Sequence, residues 1–75
     1  MTDTTATLRS LGQHRKALRV RADLTAAEVA TKAGLSTAAV SAAENGNPVG
    51  ERTIRAIAAV LNVTAAEYIG PDLAP

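Results

Sequence analysis

Apolar positions along the chain fall at helical spacing in five blocks, about residues 8–22, 25–33, 36–44, 51–61 and 65–69. In the first, Leu8, Leu11 and Leu18 share one stripe, and in the fourth Ile54, Ile57, Ala58 and Leu61 do the same. Val29, Ala30 and Ala33 repeat the pattern in the second block. These residues are the expected core. The leading MTDTTAT has no periodicity and reads as an arm over 1–7, and GPDLAP, with two prolines in six residues, reads as a tail over 70–75. One domain is expected between them, over 8–69, undivided by any linker or repeat.

The clearest boundaries lie within residues 25–46. Thr25 with Glu28 three places on has the form of a capping box, in which hydroxyl and carboxylate each satisfy a free amide at a helix start. Gly34 follows where a left-handed residue must close that helix after barely two turns. Ser36 is a good N-cap for the next helix, and Leu35 and Val40 flank it as an apolar staple. Asn45, Gly46, Asn47 and Pro48 then turn the chain away. Two short helices joined by a tight turn are the sequence form of a helix-turn-helix. Thr64 with Glu67 offers a second capping box before the fifth block.

Composition narrows the fold class. Seventy-five residues approach the lower size at which a chain buries enough surface to fold alone. Seventeen are alanine and only Tyr68 is aromatic, so the core must come from closely approaching helices with Leu, Ile and Val as filler. An all-α, compact five-helix bundle is the expected architecture. The absence of cysteine removes disulfides and thiolate metal sites, and one histidine with carboxylates on separate helices provides no nucleophile–base pair. No catalytic residue, metal site or cofactor is expected. Without an apolar run near ~18 residues or a signal-peptide pattern, the expected compartment is the cytoplasm and no membrane partner is expected.

The chain resembles the Cro/repressor-type (XRE-like) helix-turn-helix family through LGQHRKALR (11–19), LTAAEVATKAG (24–34), the LS…V…AENG run (35–46) and IRAIAAVLNVTAAEYI (54–69). The resemblance implies a lambda-repressor-like bundle that binds double-stranded DNA and regulates transcription, most simply as a repressor, in a bacterium or phage. It places the helix of 36–44 in the major groove, with Ser36, Thr37, Ala38, Ser41 and Ala42 outward. These are hydroxyls and methyls where arginine, glutamine or asparagine are the usual readers of bases. Ala26 stands where the family commonly has a phosphate-clamping glutamine, so only a backbone amide is left for that contact. Asn45 either meets phosphate or caps the helix in a left-handed conformation, and Lys16 and Arg52 are further candidates for phosphate contact. Arg19 and Glu44 match an ion pair that ties the first helix to the recognition helix; two unrelated exposed charges are the alternative. Arg15 occupies a position usually apolar in the family, so either its stem covers the core with its head in solvent or the first helix is rotated.

Net charge is only +1, but residues 1–34 carry six basic against three acidic side chains and residues 35–75 two against four. A basic first helix suits phosphate contact, or is simply a solvated face. His14, without a partner at metal-ligand spacing, is expected at the surface near phosphate. A homodimer is expected, with Val63, Tyr68, Ile69 and Leu73 as its apolar surface. The competing function is a protein-interaction module on the same fold (an antitoxin, antirepressor or co-regulator) with little base-specific binding, favoured by the bland recognition helix and low net charge.

Overall fold

The computed structural model describes the backbone of residues 4–70 and the side chains of residues 10–70. Five helices follow one another: α1 (Thr4–Arg21), α2 (Ala26–Ala33), α3 (Thr37–Glu44), α4 (Glu51–Leu61) and α5 (Ala65–Ile69). Four agree closely with the expected blocks, whereas α1 opens at Thr4, so that residues 4–7 are helical rather than an arm. The expected core position Leu8 and interface position Leu73 lie outside the described side chains.

A common ending divides the chain into these short pieces. In α1 to α4 the backbone closes with the same pair of hydrogen bonds, the six-to-one bond running from Leu24 to Arg19, Leu35 to Ala30, Asn47 to Ala42 and Val63 to Ala58. Each requires one left-handed residue, supplied by Asp23 (φ 61°), Gly34 (φ 71°), Gly46 (φ 78°) and Asn62 (φ 60°). Asn45 has φ −97° and is not left-handed, so that role, expected of it, belongs to Gly46. The starts are equally local. Glu28 N–H donates to Thr25 Oγ1 (3.1 Å) while Thr25 N–H donates to Glu28 Oε1 (2.9 Å), completing the capping box. That backbone bond holds the Glu28 carboxyl below its usual range. Ser36 Oγ accepts from Ala39 N–H at 3.1 Å. The second box is half formed: Thr64 Oγ1 accepts from Glu67 N–H, but the Glu67 carboxylate takes the Thr64 hydroxyl rather than its amide.

The core is Val29 and Ala30 of α2, Val40 and Ala43 of α3, Ile54, Ile57, Ala58 and Leu61 of α4, and Tyr68 of α5. α2 packs on α3 and α4, while α1 lies across α3 and α5. At the crossing of α1 and α3, Gly12 is essential: a Cβ there would sit 2.1 Å from the Glu44 carbonyl oxygen. The obstacle is backbone, so no side-chain rotation relieves it.

Tyr68 is fully buried, which corrects its expected place on a dimer surface. As the one aromatic side chain it fills the volume the alanines leave, and a ring of that size is stabilised most by burial in its own core. Its hydroxyl has no hydrogen-bond partner among the described residues, and burial pushes its pKa up to about 12.

Two outcomes follow. Gly12→Ala gains helix propensity yet forces α1 and α3 apart, so urea unfolding should show a net loss of about 1–3 kcal/mol. Tyr68→Phe should be about 1 kcal/mol more stable at pH 7, since it removes a buried unpaired hydroxyl. Because the unfolded tyrosine ionises near pH 10 and the folded one near 12, the wild type should lose roughly 2–3 kcal/mol between those values. Subtracting the Tyr68→Phe curve isolates that loss; identical alkaline curves would refute it.

Candidate nucleic-acid interface

The fully buried side chains of α3 are the small ones of Val40 and Ala43. Side chains from α1 hold its end. Arg19 Nε donates to Glu44 Oε2 (2.6 Å) and Nη2 to Glu44 Oε1 (3.0 Å), a two-pronged pair, while Nη1 donates to the Leu24 carbonyl (2.8 Å). Both side chains are mostly shielded, at 14% and 11% exposure. The expected pair is present. The bonds to Glu44 raise the Arg19 pKa, the carboxylate holding the cation in its charged form.

Arg15 reaches further into the protein than its place in the sequence implies. Neither expected alternative holds, because the head as well as the stem is inside, with 5% of the residue exposed. Its Nη1 donates to the Ala43 carbonyl (2.9 Å), its Nε to the Tyr68 carbonyl (3.2 Å), and the guanidinium lies 5.3 Å from the Tyr68 ring centroid. Desolvation lowers its pKa. One guanidinium thus ties the last turns of α3 and α5 to α1, using carbonyls that helix ends leave partly free. The signal was available in the misfit itself, an arginine within an apolar stripe, but nothing in the sequence named its acceptors.

Both arginines are therefore engaged inside the protein, which removes them from the basic surface that the charge count of α1 suggested. His14 is similarly diverted. Its Nε2 is 2.6 Å from the Glu67 carbonyl, so this nitrogen carries the proton and donates, and the ring bridges α1 to α5 instead of facing phosphate. Lys16 stays exposed, one helical turn from both Gly12 and Arg19 and so beside the end of α3. Arg52 is exposed at the start of α4, where Gly50 gives no side-chain cap and leaves the first amides open.

On the outward side of α3, Ser36, Thr37, Ala38 and Ser41 are exposed, whereas Ala42, expected to face outward with them, is half-buried. Asn45 is exposed at its end. Ala26 is half-buried and packs against the core, so its methyl is directed inward and only the backbone at the start of α2 is offered. Of the remaining dimer candidates, Ile69 is exposed and Val63 half-buried against the core.

A capped helix, a left-handed turn and a second capped helix whose far face is exposed make up the helix-turn-helix arrangement. The family profile described as helix-turn-helix matches residues 16–68, from the middle of α1 to the end of α5. The chain belongs to the XRE-type helix-turn-helix family. Its fold is lambda-repressor-like, and the family consists of DNA-binding regulator domains. No curated protein and no solved structure matches the chain significantly. Among the described residues, no group of acidic or histidine side chains could hold a metal, and no helix is long and apolar enough to cross a membrane.

If the arginine pair fixes α3, then removing one partner leaves a shielded charge uncompensated. Arg19→Met should cost about 3 kcal/mol in urea unfolding, and a cycle with Glu44→Gln should show that most of this is shared between the two residues. Additive effects would mean that the pair carries no coupling.

Proposed function

We propose that this XRE-type domain is a transcriptional repressor that binds duplex DNA as a homodimer and acts by occupying its site. What carries the reading is α3, a short helix anchored only along its inner face, following a tight turn and presenting an uninterrupted outer face. In this arrangement α3 enters the major groove with Thr37, Ala38, Ser41 and Ala42 at base edges and Ser36 at the entry. The hydroxyls of Thr37 and Ser41 bond to several bases, and the alanine methyls pack on apolar base edges. Ser36 keeps an O–H to donate, since its cap bond uses only the oxygen as acceptor. Phosphates on either side meet the open amides at Ala26, the Asn45 side chain, Lys16 and Arg52.

Short side chains supply few discriminating contacts per domain, and a second copy on an adjacent half-site about 34–36 Å away raises specificity. Ile69, exposed at the end of α5, and Val63 are the surface proposed for that contact, without Tyr68. Bacterial or phage origin and a cytoplasmic setting accord with this reading.

A second reading is supported by the internal use of Arg15 and Arg19 and by the absence of long polar chains on the outer face of α3. In it the same surface binds another protein, and DNA is bound weakly or not at all.

Titration with random-sequence duplex at two salt concentrations separates the two. A regulator should bind at low salt, with the log–log salt slope near −2 to −4 for roughly that many phosphate contacts. Selection should then enrich a twofold-symmetric site. The double change Thr37→Ala, Ser41→Ala should weaken that site by about 1–3 kcal/mol while sparing random DNA, whereas Lys16→Ala should weaken both and flatten the slope by about one unit per bound domain, about two for the dimer. No binding at low salt would reject the DNA reading in favour of the protein-interaction module.

A further inference from the structure

A groove of about 490 Å³, with none of the described α3 side chains in its wall, lies between α1, the loop after α3, the start of α4 and α5. Its volume is within the range of small-molecule sites. Leu11, Pro48, Val49, Ile54 and Ala65 make its wall largely apolar. The remaining open surface of Arg15 also contributes to that wall.

Arg15 is the unusual member. A guanidinium has five N–H donors, and the two bonds to Ala43 and Tyr68 carbonyls use two of them. Among the described residues no carboxylate lies within ion-pair distance of it. Buried cations are ordinarily paired, because neutral carbonyls recover only part of the lost hydration. At the rim, Glu51 and Arg55 pair with each other, so together they add no net charge. Among the described residues the groove is therefore largely apolar, with one positive charge that no carboxylate pairs.

We propose that this groove binds a small aliphatic carboxylate, its tail against Val49, Ile54 and Ala65 and its carboxylate on the free N–H groups of Arg15. The complementarity is of both kinds: apolar walls take the chain, and the anion supplies the partner that Arg15 lacks. A planar carboxylate also matches the guanidinium fork, as a neutral head group of the same length does not. The site is separate from the outer face of α3 and does not depend on DNA binding.

Octanoate serves as the probe, with 1-octanol and octylamine as controls of equal chain length, in a titration of the full chain followed by amide and Arg15 Nε–H resonances. Octanoate should bind with a Kd of about 1 mM or tighter, shifting the resonances of Arg15, Val49 and Ala65. It should bind at least about tenfold more tightly than octanol, and octylamine should not bind. Arg15→Met should abolish the preference for octanoate over octanol. Should that variant unfold, Val49→Trp, which fills the groove and keeps Arg15, should block octanoate. Ile69, proposed for the dimer surface, lies on the same rim, so sedimentation of both variants separates altered self-association from loss of the ligand. Equal binding of octanol, or no shift with octanoate, overturns the proposal. Binding only of a peptide that ends in an apolar residue would overturn it too, and would make the occupant a protein terminus.

Discussion

The orientation of α3 depends on two guanidinium groups from α1. An eight-residue helix is marginal in water, and α3 buries only a valine and an alanine side chain completely. Burial on that scale does little to fix a rotation or a tilt. Arg19 grips the Glu44 carboxylate at two points, and Arg15 reaches the Ala43 carbonyl one residue earlier. Such bonds are directional where alanine contacts are not, and those to charged groups contribute about 1.5–3 kcal/mol each. They require α1 to lie close against α3, which Gly12 allows by having no side chain at the crossing. The positions 12, 15 and 19 thus act together, one by absence and two by reach.

That arrangement changes the meaning of the charge pattern. Counted along the sequence, α1 is a basic helix; counted on the surface, much of the basicity is gone, because Arg15 and Arg19 are shielded and His14 faces α5. Long-range attraction to a polyanion then rests on a few exposed groups such as Lys16, Arg21, Lys32 and Arg52. Net charge counts every ionised group, whereas phosphate contact needs accessible cations.

The parts of the fold legible in the sequence were those fixed by neighbours along the chain. Thr25 with Glu28, Ser36, and Gly34 each act within a few residues, so their roles in α2 and α3 could be read from spacing alone. Asp23 and Asn62 make the same left-handed turn as Gly34 but are less specific signals, since both residue types are common elsewhere. Contacts between distant residues were another matter. The Arg19–Glu44 pair came from family resemblance, while the Arg15 acceptors, the His14 bridge, and the close approach at Gly12 depend on how α1 crosses α3 and α5. The place of Tyr68 is ambiguous in the sequence for a related reason. Beside Ile69 in sequence, it looks equally suited to an interface, and only the shortage of large side chains elsewhere decides that the core takes it.

Three outer-face positions of α3 take no part in holding the protein together, unlike Ser36, which caps the helix, and the half-buried Ala42. Thr37, Ala38 and Ser41 are exposed, and neither the two clamping arginines nor the core touches them. Replacing any of them with a longer side chain meets no steric obstacle from the body of the domain. Selection acting on this surface can therefore alter it almost independently of folding, one position at a time. A plain helix of this kind is an adaptable starting point, on which new binding preferences can be installed while the scaffold stays the same.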